Sequence, residues 1–342
     1  MSEVTFGYLY DFRNPQQWHR PWAELYAEVL DVIVWSEEAG FANAWVPEHH
    51  LADDGYMPAP LVTLAAVASR TRKLKLGGGI ALAPLYHPVR FAEDCAVLDI
   101  ISDGRVEMGL GIGYRRRETA AFGVDIKTRG RLFDEWLEIV TRLWAGETVD
   151  FDGRFFNLAG ARIMPPAPRG RIPLYIGGVS EKAMERVVRY GDGFLGDDAA
   201  CEIYARKMRE HGKGATEGSA RVIGMMTMIA DDPEAAFEEL APYYHYINNS
   251  YGEWFKEDFV GRESPIATMS LEQFKQSGLL QIWTPDEAIA TLRKFQETMP
   301  LDHFTMMMPP GLPPARFVEY AEIVAKKVIP AFRGVTASAA SA

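Results

Sequence analysis

Eight short apolar runs, each ended by a turn and followed by a segment with apolar residues at helical spacing, recur along this chain. They begin with VTFGYLY (4 to 10), ANAWV (42 to 46), KLKLGGGIAL (73 to 82) and GRVEMGLGIG (104 to 113). IPLYIGG (172 to 178), GFLGD (193 to 197), ARVIGMMTMIA (220 to 230) and HFTMMM (303 to 308) complete the series. A strand reached through a crossover helix lies parallel to its predecessor, so the alternation predicts a parallel sheet covered by helices. Eight units in 342 residues suffice to close it, and the reading is an α/β (β/α)8 TIM barrel, with a doubly wound open sheet as the runner-up. Two stretches break the alternation. ETVDFDGRFFNLAGARIMPPAPRGR carries a D-G turn between alternating apolar residues and reads as an inserted hairpin. The aromatic-rich segment from Asn248 to Trp283 reads as an irregular excursion after strand seven. One domain spans 1–335, and the small polar tail 336–342 is expected to stay disordered.

Composition excludes several partners. The formal charge is -11, from 47 acidic and 36 basic residues, which opposes the clustered cations that phosphate neutralisation requires, so no nucleic acid is expected. No basic stretch leads into an apolar one at the N-terminus, and nowhere do ~18 apolar residues run on, so no membrane span is expected. Cys95 and Cys201 are far apart without a CxxC, which fits a reducing, cytoplasmic setting rather than a disulfide framework or thiolate metal site.

In a parallel barrel the reactive groups belong on the loops at the strand C-termini. Glu48, His49 and His50 leave strand two in "WVPEHH", and three titratable groups there admit a metal site, an acid/base site or a hydrogen-bonded edge of the core. Consecutive side chains leaving a strand diverge and no HExxH follows, so no metal is assigned and the acid/base reading leads. For His50 a satisfied, unreactive histidine competes, and His87 reads as a helix cap. "IGGVSEKAMERV" puts two glycines and Ser180 where a helix begins, which suits an anion, although Ser180 capping its own helix explains the pattern equally. "GLGIGYRRRE" holds a GxGxG on strand four, the wrong place for a dinucleotide fingerprint. Its glycines would let a flat ring lie against the barrel mouth, and at least two of Arg115 to Arg117 read as a solvated loop. Asp197, Asp198 and Pro309 to Gly311 fall on the same rim, and the methionines of strands seven and eight read as core.

Taken in order, "WVPEHHL", "LAPLYHPVRFAEDCAVLDIISDGRVEMGLGIGY", "AAFGVD", "LYIGGVSEKAMERVVRYGDGF", "TPDEAIATL" and "MPPGLP" resemble the bacterial luciferase-like flavin monooxygenases over most of residues 1 to 335. The resemblance implies a TIM barrel that uses reduced FMN and O2 to oxygenate a small apolar or carbonyl substrate through a flavin hydroperoxide. Two alternatives stay open: a deazaflavin-dependent hydride-transfer oxidoreductase, and a flavin-binding protein without turnover. By position it makes Glu48 the acidic residue beside the flavin and His49 the acid/base histidine. Gly177, Gly178, Val179 and Ser180 become the phosphate loop, and Ile112, Gly113 and Tyr114 the strand-four loop near the cofactor. Luciferase has an arginine where this chain has Ile112, so a cationic phosphate contact falls to Arg115. A non-prolyl cis peptide supporting the cofactor is implied between Gly79 and Ile80. His50, where the deazaflavin branch more usually has an aromatic residue, favours FMN. A separate flavin reductase, a homodimer through helices on the barrel's side, and an aromatic cover around Tyr243 to Trp254 complete the picture.

Overall fold

Parallel strands joined by crossover helices need both sheet faces covered, and in the computed structural model, which describes residues 3–212, 217–258 and 264–333, they do so by wrapping into a closed ring. The barrel strands are β1 (Thr5–Tyr10), β2 (Asn43–Val46), β3 (Lys75–Gly78, resumed at Ala81–Leu82), β4 (Met108–Gly111), β5 (Leu174–Ile176), β6 (Gly193–Gly196), β7 (Ala220–Gly224) and β8 (Leu301–Met308). Every pairing around the ring is parallel, in the order β3-β2-β1-β8-β7-β6-β5-β4, and the second piece of β3 pairs with β4. A bridge from Leu76 to Val106 helps close the ring.

The helix limits follow ordinary end chemistry. Trp22–Ala39 stops at Gly40, whose φ of 94° is the left-handed value that glycine takes without a steric penalty. Pro88 occupies the first turn of Pro88–Ile101. The inserted hairpin forms from Val149–Asp152 and Asn157–Ala161, antiparallel around the Asp152-Gly153 turn. The tail read as disordered lies outside the described residues.

At the N-terminal end of the barrel, Glu107 accepts from Asn43 and pairs with Arg221, whose guanidinium sits 3.6 Å from the Tyr175 ring centre. Arg105, from the Ser-Asp-Gly-Arg turn, donates to the carbonyls of Ala68, Thr71, Leu74 and Ser102. It thereby ties the end of helix Pro60–Arg70 to the start of β4, on the barrel face that serves stability rather than chemistry.

Two readings change. The run 220 to 230 is not one strand: it breaks at Met225 and Met226, and Thr227–Ile229 leaves the barrel to pair with Gln281–Trp283. That second sheet packs back through Trp283, stacked 6.0 Å from Phe304 of β8. The excursion is also less irregular than its composition implies, because helix Pro233–Asp258 continues through Pro242 and carries Tyr243 to Trp254. Leu240, Tyr244, Ile247 and Tyr251 recur at helical spacing and are buried, so tertiary packing outweighs the weak propensities of Asn248, Asn249 and Gly252. Among the described residues no helix is long and apolar enough to cross a membrane.

Candidate active site

Four neighbouring strand ends build one corner of the barrel mouth. The peptide between Gly79 and Ile80 is cis and lies in the break of β3. Ile80 projects across the adjoining strands: a Cβ on Gly177 would lie 2.4 Å from its Cδ1, and one on Gly111 2.9 Å from its Cγ2. The two glycines therefore make room for the Ile80 side chain, and Ile112, Gly113 and Tyr114 follow on the strand that carries Gly111.

Glu48 is buried, and both its oxygens are engaged. Oε1 meets His50 Nε2 at 2.8 Å and accepts from the Tyr86 hydroxyl at 2.7 Å, and Oε2 accepts from the Leu82 amide at 2.7 Å. The carboxylate thus locks the β2 exit to the resumed half of β3. It also consumes His50, whose ring packs 4.5 Å from Phe122.

His49 lies inside a cage of Tyr56, Tyr114, Tyr251 and Trp254 at ring separations of 4.7 to 5.9 Å. Its Nδ1 is 2.9 Å from Glu118 Oε1, while Nε2 takes no hydrogen bond among the described residues. Burial is the largest influence on this ring and lowers its pKa, the hydrogen bond and charge of Glu118 opposing it. Burial works against the Glu118 carboxylate too, but His49, the His50 amide and Arg115 outweigh it and bring its pKa below the ordinary value. The resulting arrangement is an ionised Glu118 accepting Nδ1–H from a neutral His49, which leaves the Nε2 lone pair as a base.

Glu118 was not foreseen, although it ends the "GLGIGYRRRE" stretch. It arrives because Arg116–Ala121 form a short helix that turns it inward while Arg116 and Arg117, within the stretch read as a solvated loop, stay exposed. Arg115 departs from the phosphate contact expected of it. Only 1% exposed, it donates from Nη1 to Glu118 and the His50 carbonyl and lies 4.0 Å over Trp254, because a buried carboxylate requires a cation beside it.

On β5's exit, Gly177 is half-buried while Gly178, Val179 and Ser180 are exposed. Ser180 caps helix Glu181–Tyr190, its Oγ accepting from the Ala183 amide, so the plainer of its two readings is present. The cap uses one donor and leaves other first-turn amides outward for an anion. Asp197 likewise caps its helix, accepting from Ala200. A second unforeseen group, Arg13 with Asp11 and Asp54, sits beside Tyr56 at the end of β1.

Comparison with known proteins finds relatives along most of the chain. The chain is 27% identical over 333 residues to limonene 1,2-monooxygenase of Rhodococcus erythropolis, covering 93% of this chain and 85% of that one. It is 25% identical over 339 residues to the oxygenase component of flavin-dependent trigonelline monooxygenase of Acinetobacter baylyi, covering 90% of each. Over 309 residues it is 28% identical to an F420-dependent glucose-6-phosphate dehydrogenase of Nocardia farcinica, covering 85% and 90%. The crystal structure of the Streptomyces bottropensis monooxygenase RslO1 superposes with a TM-score of 0.81 at 22% identity, over 96% of this chain and 99% of that one. Residues 4–300 match the luciferase-like monooxygenase family, and the chain belongs to that family.

Proposed function

We propose that this protein is the oxygenase of a two-component, FMN-dependent monooxygenase acting on a small organic substrate with an apolar or carbonyl reacting part. The observation that carries the reading is His49: buried among aromatic rings, oriented by Glu118, and open at Nε2. When bound, reduced FMN supplies the electrons that activate O2.

The residues present fit such a group. Ile80, Gly111 and Gly177 offer a floor without projecting polar atoms, and Glu48 keeps that floor attached to the His49 loop through Leu82. Gly177, Gly178, Val179 and Ser180 would hold the phosphate with outward amides, while Gly79, Ile112, Gly113 and Tyr114 would border the ring. Arg115 acts as a positioning residue: its bond to Glu118 keeps that carboxylate ionised, and Glu118 keeps the Nδ1 proton in place. His49 Nε2 can then accept a proton from substrate and return it later. Tyr56, Tyr251 and Trp254 exclude water from this corner.

The trigonelline relative is named as an oxygenase component, which supports a separate reductase. Exposed Val62, Val97, Ile100 and Ile101 on the contacting helices Pro60–Arg70 and Pro88–Ile101 support a homodimer, measurable by light scattering.

The test is an anaerobic titration with reduced FMN and, separately, reduced F420, followed by admission of air. Tight binding of reduced FMN with an oxygen-dependent spectral change supports the proposal; preference for F420 without one replaces it with hydride transfer. His49→Ala should leave FMN affinity nearly unchanged and suppress product formation, and full turnover would remove His49 from the chemistry. Ser180→Ala should weaken FMN more than riboflavin, which lacks the phosphate.

A further inference from the structure

The end of helix Pro233–Asp258 meets the His49 corner along one face. Tyr251, Trp254, Phe255 and Asp258 stand at i, i+3, i+4 and i+7, the spacing that puts four side chains on one side of a helix. Tyr251 shares a hydroxyl hydrogen bond of 2.9 Å with Tyr56 and lies 5.9 Å from the His49 ring. Trp254 lies 5.0 Å from that ring and 4.0 Å from the Arg115 guanidinium. Phe255 stacks on Tyr114 at 4.7 Å, and Asp258 Oδ1 accepts from the Arg116 amide at 3.0 Å. Trp254, Phe255 and Asp258 thus land on the consecutive residues Tyr114, Arg115 and Arg116, which lead into the helix that carries Glu118.

That helix needs support from outside itself. Arg116–Ala121 is six residues long, and Arg115 at its N-cap position gives it no side-chain cap. So short a helix does not hold itself in water, because nucleation costs more than its few hydrogen bonds contribute. Glu118 lies in the first turn, whose amides have no partner within the helix. Asp258, 142 residues along the chain from Arg116, supplies what a local Ser or Asp usually does: an acceptor for a first-turn amide and a negative charge at the positive end of the dipole. Glu118 is held at Oε1 alone, Oε2 having no hydrogen-bond partner among the described residues, so a shift of this turn moves the carboxylate that meets His49 Nδ1. Arg115 is bonded through Nη1, and its buried Nε has no partner, so the Trp254 ring steadies the rest of the guanidinium.

We propose that Asp258 and Trp254 are positioning residues for the base: the end of helix Pro233–Asp258 caps and clamps the Arg115 to Glu118 segment, and this clamp keeps Glu118 on His49 Nδ1. The helix end that excludes water from the corner thereby also orients the base. That His49 acts as the base rests on the flavin reading above; the clamp itself does not.

The test uses the full chain with isotope-labelled histidine and no flavin, and follows the Nδ1 proton of His49 by nuclear magnetic resonance, assigned by its loss in His49→Gln. The readout is the rate at which that proton exchanges with water. Asp258→Ala should speed exchange by about 2- to 30-fold, the equilibrium shift of a lost cap, and Trp254→Leu by about the same factor for the lost cation–ring contact. Asp258→Asn, whose amide oxygen still caps, should restore the native rate to within about 2-fold. His303 is the internal control: its Nδ1 donates to Thr5 Oγ1 at 2.8 Å away from the clamp, and a general loosening would speed its proton as well. Asp258→Ala serves alone if melting curves show Trp254→Leu unfolded. The proposal is overturned if the His49 proton keeps its native rate in both variants, if the His303 proton speeds equally, or if Asp258→Asn behaves as Asp258→Ala. Turnover with FMN is measured separately, and both variants should lower kcat without changing FMN affinity. A responsive His49 proton in a protein that does not turn over with FMN defeats the flavin reading and leaves the clamp, and FMN turnover with an unresponsive proton does the reverse.

Discussion

Replacing Glu118 by glutamine keeps the side chain's shape and removes its charge from a place where it is only 1% exposed. Oε1 there meets His49 Nδ1, the His50 amide and Arg115 Nη1, each at 2.9 Å. An amide oxygen can still accept, but Arg115 is left as a buried cation whose remaining hydrogen-bond partner is the His50 carbonyl. Breaking a buried pair from one side costs about 3–5 kcal/mol, and the retained acceptor puts Glu118→Gln near the lower end, at about 3 kcal/mol. Urea unfolding at pH 7.5 measures this directly. The pH profile adds an independent signature. The folded-state pKa of Glu118 is depressed, so its stabilisation is present above the unfolded carboxyl value and fades as pH falls through the lower folded value. His49 is depressed as well, so its contribution is present above about 6.5 and fades as pH falls through its folded value. The native protein loses both on acidification, and the variant should lose only the histidine step. A difference under about 0.5 kcal/mol at pH 7.5, with an unchanged acid profile, would show that Glu118 is not the ionised partner of His49 and Arg115.

Other substitutions probe the same physics. Asp11 has its pKa raised to about 7 from 3.8, chiefly by burial, so its protonated form favours folding and that contribution is lost as pH rises through about 7. Asp11→Asn should therefore flatten the change in stability between pH 5 and pH 8, by up to about 2.7 kcal/mol for the two units from 5 to about 7 at 1.36 kcal/mol each, as read from denaturant midpoints at both pH values. Arg105→Met removes the donor to four carbonyls and should lower the unfolding free energy by about 3 kcal/mol. FMN affinity of the folded Arg105→Met protein should not change, and a weakened affinity would mean that the Ser-Asp-Gly-Arg turn reaches the cofactor side.

The resemblance located the Gly79–Ile80 cis peptide from the "LGGGIALAP" stretch, and local patterning placed each barrel strand to within a few residues. It failed where packing decides. Nothing local in Asn248, Asn249 or Gly252 favours a helix, yet Leu240, Tyr244, Ile247 and Tyr251 bury one face and carry the helix through. Arg115 offers the same lesson. As a residue type it suits a phosphate, but its direction was set by Glu118 and Trp254, groups three residues and more than a hundred residues away.

By itself the sequence determined the alternation of strand and helix, the rim on which Glu48, His49 and Gly177 to Ser180 fall, and the family, because periodicity and motif order are local properties of the chain. Tertiary structure alone decided that Glu118 orients His49, that Glu48 and His50 bond each other, that Ile80 occupies the space over two glycines, and that Arg13 pairs with Asp54. Those facts depend on which side chains from distant strands meet in a low-dielectric interior, and burial there turns ordinary residues into a paired, directed or unsatisfied charge.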